Sequence, residues 1–76
     1  MALFWIVHRV KGKPRVFIAD ASALIYARFA ASFAGFEGEF VEAHALDDRT
    51  ARKAPKKMIG RALTDREVRA LLKRLA

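Results

Sequence analysis

The chain opens on a nearly unbroken apolar run, LFWIVHRV at residues 3–10. β-Branched and aromatic residues dominate it, which predicts a strand. KGKP at 11–14 reads as a turn and RVFIA at 15–19 as a second strand, making residues 3–19 a β-hairpin. With Gly12 and Lys13 at the tip, Val10 faces Arg15, His8 faces Phe17 and Val7 faces Ile18. A three-residue loop would oppose Arg9 and Arg15, a disfavoured like-charge pair. The first register places Leu3, Trp5, Val7, Arg9, Val16 and Ile18 on one face. Phe4, Ile6, His8, Val10, Arg15 and Phe17 take the other. Both faces are largely apolar, so the hairpin is expected to be covered on both sides or to lie centrally in its sheet.

Residues 20–35, DASALIYARFAASFAG, read as the central helix. Asp20 is the expected N-cap, without a capping box because Ala23 stands at N3, and Gly35 is the expected C′ residue. On a helical wheel Ile25, Phe29, Phe33 and Phe36 cluster, with Leu24 and Tyr26 to either side and alanine at most remaining positions. A helix this apolar is expected to be covered on most of its sides. The run 16–36 is long enough for a membrane span. Asp20 and Arg28 would each be costly there, and the hairpin leads straight into it, so no span is expected. Residues 39–46, EFVEAHAL, alternate as a third strand. Val41, Ala43 and Ala45 form a small side suited to close helix packing, and Phe40, Glu42, His44 and Leu46 form the other.

Residues 47–63 form a basic segment. Asp47 and Asp48 open a helical turn that runs through Arg52 and Lys53 and stops near Pro55. A further turn is expected within 56–62, with Pro55 at N1 and Met58, Ile59 and Leu63 as anchors. Residues 64–76 carry the clearest helix signal. Thr64 to Glu67 is a capping box, Leu63 and Val68 occupy the hydrophobic-staple positions, and Val68, Leu71, Leu72 and Leu75 make one stripe. Acids begin this helix and Lys73 and Arg74 end it, as the helix dipole favours. The expectation is a single α+β domain over 1–76 in the order β-β-α-β-α. LTDREV at 63–68, with Leu71 and Leu72 after it, resembles the opening helix of LuxR-type helix-turn-helix domains. The chain stops at Ala76, before the turn and groove-reading helix of such a domain, so DNA readout by that motif is not carried over.

Charge changes the picture more than composition does. The 76 residues carry a formal charge of +7 and no cysteine, which excludes a disulfide framework and thiolate metal sites. Residues 1–46 hold Arg9, Lys11, Lys13, Arg15 and Arg28 against Asp20, Glu37, Glu39 and Glu42, a net +1. Residues 47–76 hold ten cations against Asp47, Asp48, Asp65 and Glu67, a net +6. The N-terminus lacks a basic residue before its apolar run and a small-residue cleavage pattern, so no signal peptide is expected. The cysteine-free chain is expected to be cytoplasmic, and its alanine and arginine usage looks like a GC-rich bacterial genome.

Catalytic signals are absent from the letters. Ser22, Ser32 and Thr64 have no base at readable spacing, and there is no glycine-rich phosphate loop or nucleophile elbow. His8 and His44, with Glu42 nearby, lack the fixed spacing of a zinc helix and read as strand histidines. No enzyme activity, metal or cofactor is expected. The informative stretch is Arg49, Arg52, Lys53, Lys56, Lys57 and Arg61, six cations with no acid between them. A continuous helix would align the first five on one face, but Pro55 predicts a broken arm. Joined by Arg66, Arg69, Lys73 and Arg74, this cluster fits nucleic-acid phosphates first and an acidic protein second. A solvated basic surface that keeps a small apolar protein soluble is the plainer reading. The Phe4, His8, Arg15 and Phe17 face, with Phe40 and His44, would stack unpaired bases if open; cover by the C-terminal helix or a second subunit is the stronger expectation. The alternative to a nucleic-acid role is a protein-interaction module or homodimer driven by the apolar helix.

Overall fold

The computed structural model describes residues 2–75, with the side chain of Leu75 left aside. The elements among them are β1 (Ala2–Val10), β2 (Lys13–Ala21), α1 (Leu24–Phe33), β3 (Glu39–Ala45), α2 (Asp48–Lys53), a 3-10 turn (Lys56–Met58), β4 (Arg61–Ala62) and α3 (Asp65–Leu75). The fold is α+β, as the pattern predicts, with a fully antiparallel sheet in the order β3-β1-β2-β4. The two-residue β4, which pairs Ala62 with Phe17, falls inside the expected basic segment.

The hairpin tip sits one residue earlier than expected. Lys11 and Gly12 both have positive φ, at 52° and 78°, and form a two-residue connection whose twist matches that of the strands. Val10 therefore faces Lys13, His8 faces Arg15 and Val7 faces Val16. This corrects the expected register by two residues. A two-residue slip preserves the alternation, so every side chain stays on its expected face.

Each face buries its own core. On one side Phe4, Ile6, Phe17, Ala19 and Ala21 meet Ala27 and Ala31 of α1, together with Phe36. On the other Val16 and Ile18 meet Ala54, Met58, Leu63 and Leu71 from the α2–α3 segment. The result is three layers: α1, then the sheet, then α2 with α3. Both faces are thus closed, and the second aromatic face is covered by α1 rather than by α3.

Helix α1 departs from expectation at its start and in its orientation. Asp20 does not cap it. That residue continues β2 opposite Leu3 and is exposed, while the helix begins at Leu24 with Ala23 as an N-cap that offers no side-chain bond. Pairing with β1 continues to Ala21, because Ala19 and Ala21 gain burial in the extended chain beneath the helix. The C-terminus follows the pattern: Gly35, at φ 80°, donates to Ser32 O, and Phe36 N donates to Ala31 O at 2.9 Å. The orientation is the larger surprise. Alanines face the sheet, and Ile25, Tyr26, Phe29 and Phe33 face outward at 59, 58, 50 and 91% exposure. Among the described residues, no helix is long and apolar enough to cross a membrane.

The alanine seam sets a testable contrast. Ala31→Leu forces a larger side chain between helix and sheet and is expected to cost about 1–3 kcal/mol. Phe33→Ser, on the outer side, is expected to change monomer stability by less than about 0.5 kcal/mol. Urea denaturation of the two variants, at a concentration where sedimentation shows the native chain monomeric, checks this, and equal losses would contradict the observed orientation.

Candidate functional site

The basic arm is positioned by its small apolar residues. Asp47 caps α2, its carboxylate accepting from Thr50 N at 2.7 Å, and that backbone bond holds the Asp47 carboxyl below its ordinary range. Ala54 leaves the helix at ψ 121° because the residue before proline is driven out of helical backbone. Pro55 then precedes the 3-10 turn as its cap, not as a first helical residue. The expected second turn is correspondingly short, ending at Met58. Ala54 and Met58 are buried against Val16, Ile18, Leu63 and Leu71, and Gly60 N and Leu63 N donate to Ile18 O and Val16 O. The inner side of the arm is thereby stitched to β2, and the arm is broken at Pro55 as its sequence predicts.

The six expected cations separate into two groups. Arg61 is a structural residue. Its Nε donates to Lys57 O at 2.7 Å, and both Nη atoms reach the Glu67 carboxylate, with Nη1–Oε1 at 2.9 Å. Glu67 in turn accepts from Thr64 N at 3.1 Å, while Glu67 N donates to Thr64 Oγ1 at 3.2 Å, completing the capping box. Lys53 is partly buried and donates through Nζ to Arg74 O at 3.3 Å, satisfying a carbonyl in the last turn of α3. Arg49, Arg52, Lys56 and Lys57 stay exposed. Among the described residues, none of these four has a carboxylate within ion-pair distance. Arg52 does share a cleft with Asp20 and Asp48, which lowers the positive potential there.

Helix α3 adds cations to the same layer. Val68 and Leu71 turn toward the sheet, so Arg66, Arg69, Lys73 and Arg74 stay exposed. The start of α3 also forms a cleft of about 480 Å³ with the hairpin. Trp5, Val7, Pro14, Val16 and Val68 line it, with Lys13, Arg69 and Asp65 also in its walls. This cleft joins the first hairpin to the last helix, a proximity that no local pattern encodes.

The histidines do not form a site. His44 faces Trp5 across β1 and β3, on the α3 side. His8 faces Phe40 on the α1 side, after a bulge between Val7 and His8 shifts the register of β3. The bulge is also why Phe40 joins Ala43 and Ala45 on one face, contrary to simple alternation. His8 stacks on Phe36 at 4.4 Å and donates from Nδ1 to Glu37 O at 3.0 Å, which fixes its tautomer when neutral.

Glu67 gives the layer a pH dependence. Arg61 first, and then the Thr64 amide, hold its carboxyl down to about 2, below its ordinary 4.5. A depressed carboxylate stabilises the fold above its unfolded pKa and loses that contribution as pH falls through the folded value. Urea midpoints of the native chain and Glu67→Gln are expected to differ at neutral pH and to converge between pH 4.5 and about 2. A gap that stayed constant across that window would remove the ion pair from the account.

Comparison with protein-family models, with curated proteins and with solved structures returns no match, so the functional reading rests on this geometry.

Proposed function

We propose that this protein is a small basic binding protein that holds nucleic acid through phosphate contacts of the α2–α3 layer. Arg49, Arg52, Lys56 and Lys57 supply the contacts from the arm, and Arg66, Arg69, Lys73 and Arg74 extend them along α3. The observation that carries this reading is the confinement of most exposed positive charge to one layer, with the apolar helix on the opposite side of the sheet. Such a surface releases condensed counterions when it meets a phosphate backbone, with little preference for sequence. The cleft beside Trp5 offers an aromatic wall with Lys13 and Arg69 nearby, a setting for one unpaired base. A single strand therefore suits the surface better than a duplex. Arg61 and Lys53 act as supports for this layer, not as phosphate ligands.

A second reading is favoured by a separate observation, the outward apolar side of α1: a protein-interaction role. The two surfaces lie on opposite sides of the sheet and do not compete.

Titration of a mixed-sequence single-stranded oligonucleotide, followed by the fluorescence of the one tryptophan, tests the first reading. The logarithm of affinity is expected to fall linearly with the logarithm of salt concentration. A Lys56→Ala/Lys57→Ala double substitution should flatten that slope by about 1.4, at roughly 0.7 per lost phosphate contact. Arg61→Ala should lower stability instead. Absence of binding at low salt would end the nucleic-acid reading.

A further inference from the structure

The outward side of α1 is not a scatter of single apolar residues. Ile25, Phe29 and Phe33 repeat at i, i+4 and i+8 and form one ridge, with Tyr26 beside it. This is the spacing by which helices pack on helices, yet half or more of each ridge side chain stays exposed among the described residues. We propose that its occupant is a second copy of the same chain, bound through α1 in an antiparallel, two-fold arrangement. The inference rests on the second reading above and commits it to one partner.

Three observations favour a copy over a different partner. The ridge is symmetric about Phe29: a two-fold axis there sets Ile25 of each copy against Phe33 of the other and lets the i±4 ridges interdigitate. Phe33, almost wholly exposed, then meets the groove beside Ile25. That groove, about 520 Å³, is also lined by Arg28, Phe29, Phe36 and Phe40.

Area is the second observation. At roughly 200 Å² for a large apolar side chain, the exposed fractions of Leu24, Ile25, Tyr26, Phe29, Phe33 and Phe40 amount to about 680 Å² per copy. A standard stable interface buries about 800 Å² per partner. The patch approaches that area before any rim contact is added, and it is larger than monomers ordinarily leave exposed.

Charge is the third. A chain at +7 repels its own copies. The repulsion is least across α1, because the cations of residues 47–76 lie beyond the sheet. Arg28 is the one charged residue of α1, and its guanidinium lies over the Phe40 ring at 4.1 Å from the centroid. Joining through α1 leaves both basic layers facing outward, at the greatest separation the pair allows.

Sedimentation across a concentration series tests the proposal. The full chain is expected to sediment at twice its monomer mass, and the dimer should survive salt that abolishes oligonucleotide binding. Phe29→Glu places two carboxylates at the axis and should weaken dimerisation by at least a hundredfold, the loss expected at a central anchor. Phe33→Ser provides the same test with a residue whose removal leaves the monomer core untouched. Circular dichroism should show both variants folded. A chain that stays monomeric at every concentration overturns the proposal, as does a dimer unaffected by both substitutions. A monomer that still retains another protein through Phe29 loses the second copy but keeps the interaction reading. A monomer that retains none loses both.

Discussion

The contact between the alanines of α1 and those of β2 governs the shape of this molecule. Ala27 and Ala31 pack with Ala19 and Ala21 beside Phe4, Ile6 and Phe17 of the sheet, so the helix itself brings nothing larger than a methyl group to the seam. Helix and sheet can therefore approach closely, and only small side chains fit the seam. Every large residue of α1 is then forced to the flanks or the outside. A methyl seam also buries little area per residue. At roughly 25 cal/mol per Å² it holds α1 less firmly than a phenylalanine seam would. Phe36, locked in place by the helix-ending bonds around Gly35, adds the bulk that the helix itself withholds. In a chain this short, where a single core is marginal, the outward phenylalanines are a substantial uncovered resource.

The opposite layer is organised by one carboxylate. Glu67 closes the capping box of α3 and clamps Arg61, which itself reaches back to Lys57 O. Glu67 and Arg61 together thus join the start of α3 to β4 and to the 3-10 turn. Removing Arg61 from the pool of free cations is the cost of that joint. What remains is a set of cations held on a scaffold that is fixed from beneath by Met58, Leu63 and Leu71. The protein presents two unlike surfaces, one apolar and one cationic, separated by the thickness of a sheet.

Features set by neighbouring residues were legible in the letters. The capping box at Thr64 to Glu67, the glycine end of α1, the Asp47-opened turn and the break at Pro55 all depend on contacts within a few positions. The two hairpin faces were legible as well, even with the register wrong, because alternation survives a two-residue slip. The Lys11–Gly12 connection was missed because lysine rarely signals positive φ. Asp20 looked like a cap because an acid before an apolar run usually is one; here β1 pairing outcompeted the helix for residues 20 and 21. A two-residue strand such as β4 leaves too short a pattern to read.

The candidate surfaces divide in the same way. The excess of positive charge in residues 47–76 was fixed by composition, but which cations stay free was not. Lys53 and Arg61 are withdrawn by Arg74 O and Glu67, partners that only folding brings within reach. The bulge in β3, which moves Phe40 to the α1 side, and the pairing of His44 with Trp5, which parts it from His8, are likewise products of pairing. For residues 20–35 the sequence by itself determined a helix with an aromatic side and an alanine side. Tertiary structure decided which side faces inward, because a wheel shows which residues share a face and not what that face will meet. Ala19 and Ala21 line the sheet there, so the alanines went in and the phenylalanines out.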